Sequence, residues 1–290
     1  AIALNKGVER VEYDIKLHRI VGKAEPAPTS RPEPTRSQEM PFDDPELPWQ
    51  WHYYNDGSLS DDTAAGADIN LLNAWKYTAG DNRIIVAVLD GGVMANHPDL
   101  EANMWVNEAE KSGTAGVDDD GNGYVDDING YNFVAGSGAI TADAHGTHVA
   151  GTISAVNNNG YAVCGIAGGT GKGDGVKIMS LQIFENDESC YSHQIAKAFI
   201  YAADNGAVIA NNSWGYAPNT YLSDSEYERY DSVLKDAVEY FESNARLEGV
   251  IEGGVAIFAA GNEAATAADY PGAYNKYISV SAMSADYTAT

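Results

Sequence analysis

The sequence predicts an α/β fold of three layers, a mainly parallel β-sheet flanked by helices. Two observations carry this prediction. Short apolar runs without alternation recur at Ile84–Leu89, Val176–Phe184, Ala207–Ala210, Val255–Ala260 and Tyr277–Ala282, as expected of strands covered on both faces. Segments of helical character lie between them, at Ile69–Tyr77, His145–Val156, Ser192–Asp204 and roughly Ser223–Ala245. Strands alternating with helices build a parallel sheet, and its functional groups gather at the carboxyl ends of the strands.

Ahead of that region the character differs. Residues 8–20 alternate, with Val11, Tyr13, Ile15 and Leu17 set against Glu12, Asp14, Lys16 and His18, which reads as a half-buried strand. From Ala24 to Pro48 the chain holds seven of its ten prolines, a composition that suits an extended linker. A lone strand is not stable without partners, so the first residues must dock on something or end a domain that was cut away. The expected organisation is therefore residues 1–23, a linker over 24–48, and an α/β domain over 49–290.

The 290 residues carry a net charge of −25, with 44% hydrophobic and 20% charged residues. That charge argues against nucleic acid, whose phosphates require clustered Lys and Arg. No apolar run is long enough to span a membrane, and neither end carries a charged-then-apolar signal segment. The two cysteines, Cys164 and Cys190, are not in a ligand-spaced pair, which disfavours zinc. A disulfide and two buried free thiols are equally compatible with their positions.

Four segments carry candidate chemistry. The run Ile84–Leu89 ends in Asp90-Gly91-Gly92, which leaves a carboxylate at the sheet's carboxyl edge beside glycines that allow a sharp turn. The alternative is an acid that caps a nearby helix. In Asp143-Ala144-His145-Gly146-Thr147-His148-Val149-Ala150-Gly151, the apolar residues Val149, Ile153 and Val156 fall at helical spacing, so both histidines begin a helix packed on the sheet. Their i, i+3 spacing and the lack of a glutamate between them do not fit a zinc-protease helix. A strand also delivers Asn262 in Ala259-Ala260-Gly261-Asn262, where a side-chain amide can donate to a developing oxyanion. The fourth is Asn211-Asn212-Ser213-Trp214-Gly215, a strand leading to small residues that can pair with an extended peptide.

In this order the segments resemble the subtilisin family, the subtilases, over roughly residues 49–290. The resemblance implies a subtilisin-like serine endopeptidase whose triad runs Asp, His, Ser along the chain. Asp90 matches the family's aspartate, His145 its catalytic histidine and Asn262 its oxyanion-hole asparagine. Ser213, Trp214 and Gly215 match the strand lining the first specificity pocket, where Trp214 would floor or narrow the pocket, and His148 would be a buried structural ring. Two departures stand out. Gly91 replaces the usual Ser or Thr, and nothing resembles the nucleophile motif Gly-Thr-Ser-Met-Ala. The expectation is a domain incomplete at its C-terminus, inactive alone, with the serine beyond Thr290 or on a separate C-terminal fragment. The parent would be a secreted or cell-envelope bacterial enzyme that acts on polypeptides and is made as a zymogen, with residues 1–20 the tail of its prosegment or a folded N-terminal extension of the mature enzyme. The rivals are an inactive peptide-binding pseudoprotease and a calcium-dependent scaffold module.

Asp118-Asp119-Asp120-Gly121-Asn122-Gly123-Tyr124-Val125-Asp126-Asp127 places five carboxylates in ten residues. Such crowding repels unless a cation or solvent screens it. Asp118, Asp120, Asn122 and Gly123 fit the first half of a calcium loop, but Asn129 stands where the closing glutamate belongs. Asp126 or Asp127 would complete the set, and calcium is the expected cofactor. The glycine-rich run from Gly165 to Gly175 fails as a phosphate loop, because Ile166 and Gly173 occupy its key positions; it reads as a flexible connection.

Overall fold

The computed structural model describes residues 14–17, 39–60, 62–186, 188–262 and 269–288. Its strands in chain order are β1 (Ile85–Asp90), β2 (Gly130–Asn132), β3 (Lys177–Gln182), β4 (Phe184–Glu185), β5 (Glu188–Ser189), β6 (Ile209–Asn212), β7 (Arg246–Leu247), β8 (Ile251–Glu252), β9 (Val255–Ala259) and β10 (Ile278–Val280). The helices are α1 (Leu71–Ala74), α2 (Glu108–Ser112), α3 (Ala144–Ser154), α4 (Ser192–Asp204), α5 (Asp224–Tyr230) and α6 (Ser232–Asn244). Six strands form one sheet in the order β10-β9-β6-β1-β3-β2, parallel at every pairing. The pairs β4–β5 and β7–β8 are short antiparallel ribbons.

β1 lies at the centre because its residues are apolar on both faces, Val86 to Leu89 all being at most 4% exposed. One face packs on α3 through Val86, Val88, Ala150 and Ile178. The other meets α4 and α6, where Leu89, Met179, Phe199, Val238, Phe241 and Phe258 share the larger core. β3 and β6 flank β1 on opposite sides, so the chain crosses over β1 between them, and a crevice opens at the carboxyl ends there.

Helix α4 spans the predicted Ser192–Asp204, and the Gln194 side chain accepts from Tyr191 N to close its first turn. The stretch expected as one helix over Ser223–Ala245 is two. Asp231 breaks it with φ −131° and ψ 37°, and its buried carboxylate accepts from the Tyr216 hydroxyl. Only Leu71–Ala74 of the expected Ile69–Tyr77 helix forms, because Asn70 before it is left-handed. The run at Gly165–Gly175 is tied down: Gly169 N donates to Ala79 O, and Asn103 Nδ2 donates to Gly168 O.

Of the alternating segment 8–20, only residues 14–17 fall among those described. Leu17 is 1% exposed within the core. Leu17 N donates to Cys190 O, and Ser192 N donates to Ile15 O, so this short stretch lies antiparallel to Tyr191. Asp14 accepts from His193 Nδ1 at 2.8 Å. The stretch read as a linker is described from residue 39, and there it packs: Met40, Phe42 and Leu47 join Tyr53, Leu71, Trp75 and Cys164 in a small cluster. Apolar residues between its prolines give this end a surface to bury. Cys164 and Cys190 are both free and buried, and burial raises both thiol pKa values, that of Cys190 to about 12. No helix among the described residues is long and apolar enough to cross a membrane.

Candidate active site

Asp90 ends β1 and is 1% exposed. Its Oδ1 accepts from the next backbone amide, Gly91 N, at 2.7 Å. The neighbouring strand fixes the turn: Gln182, in register with Asp90, donates from Nε2 to Gly91 O and accepts at Oε1 from Thr141 N. Gln182 is fully buried. Its signal in the sequence was a polar residue inside the apolar run Val176–Phe184.

His145 sits in the first turn of α3. Its Nδ1 lies 2.8 and 2.9 Å from the two carboxylate oxygens of Asp90. With Asp90 ionised, Nδ1 donates its proton to the carboxylate, which leaves Nε2 as the basic nitrogen. The imidazole is 34% exposed while the Asp90 side chain is 2% exposed. A buried carboxylate that orients a partly open imidazole is the arrangement of a general base.

His145 lines a cleft of about 380 Å³ together with Asn211, Ser213, Asn262 and Ser281. Asn262 follows β9 and is exposed there, so α3, β6, β9 and β10 converge on one opening, with Asp90 of β1 joined to it through His145. Ser213 accepts at Oγ from Asn211 Nδ2 at 3.0 Å. Trp214 does not line this cleft. It is 1% exposed and packs edge-on against Phe258 at 5.7 Å and Tyr216 at 6.5 Å. Gly215 is likewise buried. His148 corrects the expectation of a buried ring. It is exposed, because one turn along α3 from His145 the helix faces a separate cavity of about 590 Å³ shared with His52 and His97. Burial, and then the charge of His148, hold the His52 imidazole below its ordinary value.

In the acidic loop, Asp118 and Asp120 come together with Glu110 of α2, each placing a carboxylate oxygen within 4.8 Å of the other two. Gly123 makes the sharp turn at φ +92°. The amides of Gly123, Gly121 and Asn122 donate to Asp118, and Gly123's hydrogen bond leads in holding that carboxyl below its ordinary value. Asn122, Asp126 and Asp127 lie outside this trio. Asp126 accepts from Gly116 N, and Asp127 is buried where Asn107, Asn122 and Tyr201 donate to it. Glu110 was missed in sequence because it lies eight residues upstream of Asp118, on another element.

A parallel sheet whose carboxyl edge holds an Asp–His pair over a cleft defines a hydrolase-like α/β class, and the comparisons narrow it. The family model described as the subtilase family, peptidase family S8, matches residues 81–290. The chain belongs to the subtilase family. It is 34% identical over 182 residues to subtilisin-like protease 1 of Plasmodium vivax, covering 61% of this chain and 26% of that protein. It is 30% identical over 224 residues to halolysin of Haloferax mediterranei, covering 77% of this chain and 35% of that protein. A protease from Pseudoalteromonas arctica superposes with TM-score 0.57 at 27% identity, over 84% of this chain and 66% of that chain. The chain thus spans about a quarter to a third of the length of these curated relatives.

Proposed function

We propose that this chain supplies the acid–base and oxyanion-binding part of a serine endopeptidase that hydrolyses polypeptides. His145 takes the proton from a serine hydroxyl and returns it to the leaving amine, while Asp90 orients the ring and stabilises the imidazolium. Asn262 donates to the oxyanion on the attacked carbonyl. The carrying observation is the bidentate approach of His145 Nδ1 to Asp90. The nucleophile is a serine supplied from outside residues 1–290; Ser213 lines the cleft as part of the substrate-binding strand. Labelling of the full-length protein by a fluorophosphonate probe, abolished by His145→Ala, is the expected result. A full-length protein that takes no label overturns this reading.

The enzyme is a secreted or cell-envelope protein of bacterial type, made as a zymogen, and residues 1–23 are the tail of its prosegment. The docking of residues 14–17 supports this, since it buries Leu17 and pairs backbone with Tyr191. Glu110, Asp118 and Asp120 hold a structural calcium ion, because an all-oxygen, multiply charged donor set suits a hard cation. At a hundredfold excess of calcium over its Kd the ion adds about 2.7 kcal/mol. Chelator should then lower the Tm by several degrees, and Glu110→Gln should remove most of that response. An unchanged Tm in chelator, with no heat on calcium titration, rules the ion out.

A further inference from the structure

Gly91 stands where the family has Ser or Thr, and its surroundings give the reason. A Cβ added at Gly91 would lie 2.6 Å from both Cγ and Oδ1 of Asp143. The side chain of residue 143 fills the space a residue-91 side chain would take. Its backbone is held as well: Asp143 N donates to Gly92 O at 3.2 Å, and a Cβ on Gly146 would meet Gly92 O at 2.6 Å. The first turn of α3 is pressed onto the turn that follows Asp90.

Asp143 also caps that helix. Its Oδ1 accepts from His145 N at 2.9 Å and from Gly146 N at 3.2 Å. Asp90, Asp143 and His145 each bring a carboxylate oxygen or ring nitrogen within 4.8 Å of the other two. Two carboxylates about one imidazole repel each other while the ring is neutral, and both gain when it is protonated. His145 stands at a helix N-terminus, where the macrodipole disfavours an imidazolium. A carboxylate at the cap opposes that effect.

We propose that Asp143 is a second positioning carboxylate for His145, which fixes the turn that aims Nδ1 at Asp90 and favours the protonated ring. This rests on reading Asp90 and His145 as the proton-transfer pair. Among the described residues, the titratable groups brought to the His145 ring are Asp90 from β1 and Asp143 from its own cap. On the cleft side β6 and the turn after β9 present Asn211, Ser213 and Asn262, which do not titrate. Asp143 also borders the cavity that holds His52, His97, Asp99 and His148. In this arrangement Gly91 is the space left for a carboxylate contributed by another element.

The test is Asp143→Asn in the full-length protein, since Asn caps helices as well as Asp does and so removes charge while keeping the turn. The His145 midpoint, read by NMR on 15N-histidine-labelled protein, should fall by about one unit, tenfold in its dissociation constant. The acid limb of kcat/KM should move down with it, and the plateau should fall. An unchanged midpoint in a folded variant reduces Asp143 to a helix cap and overturns the proposal. Gly91→Ser should lower the Tm, and adding Asp143→Gly should recover part of the loss; a silent Gly91→Ser also overturns it. The midpoint and the Tm need no turnover, so a protein that takes no fluorophosphonate label refutes the protease reading while these readouts still decide the role of Asp143.

Discussion

The two sides of the cleft are built differently. On the β1–α3 side the groups that hold the His145 ring are enclosed: Asp90 and Gln182 are buried, the helix is capped, and the turn at Gly91 and Gly92 is packed against it. On the β9–β10 side the same sheet ends in the open. All three residues of β10 are exposed, Ile278 at 51% and Val280 at 55%, and Asn262 stands on an exposed turn. The half of the site proposed to transfer the proton is therefore held by packed neighbours, whereas the described residues leave the half proposed to bind the oxyanion uncovered. Preorganisation depends on the packing around a group, so equal chemistry on the two sides does not mean equal constraint.

The contrast can be broken experimentally in several places, all in the full-length protein. Asp90→Asn should have the largest effect, about a 10⁴-fold drop in kcat, because the ring is left in the wrong tautomer; a drop below tenfold would place the orienting group elsewhere. Asn262→Ala should cost about 10²- to 10³-fold in kcat with little change in KM, and a pure KM effect would remove it from the oxyanion hole. Stability sharpens the same comparison. Leu89→Ala on β1 should cost about 2–5 kcal/mol in denaturant unfolding, whereas Val280→Ala on β10 should stay within about 0.5 kcal/mol. A large loss at Val280 would mean that further polypeptide covers this edge.

The smallest effect concerns pH. Burial, followed by the charge of His148, keeps His52 neutral in the folded protein below its ordinary value of 6.5. The unfolded chain therefore takes up the proton first as pH falls. The contribution of His52 is present above about 6.5 and is lost as the pH falls from there through its lower folded-state value. His52→Gln should flatten the fall in Tm between roughly pH 7 and 5, by a degree or two; an unchanged slope would refute this.

Much of the site was legible in the sequence for local reasons. An apolar run covered on both faces is visible as composition, so β1 and β9 and the residues they deliver, Asp90 and Asn262, could be placed without coordinates. Helical spacing of Val149 and Ile153 likewise set His145 at the start of α3. What stayed illegible depended on contacts between elements. Glu110 joins Asp118 and Asp120 across a turn, Trp214 goes into the core against Phe258, and Asp231 splits a helix to meet Tyr216.

By itself, the sequence determined the α/β class and placed Asp90 at the end of a strand and His145 at the start of a helix, because each is written in runs of neighbouring residues; their pairing came only with the family resemblance, and β2 was not foreseen. Only the tertiary structure decided that Asp143 takes the space above Gly91, that His148 faces a separate cavity and that Leu17 is buried beside Cys190. Periodicity records which way a side chain points from its own element, whereas the partner it meets there depends on the path of the whole chain.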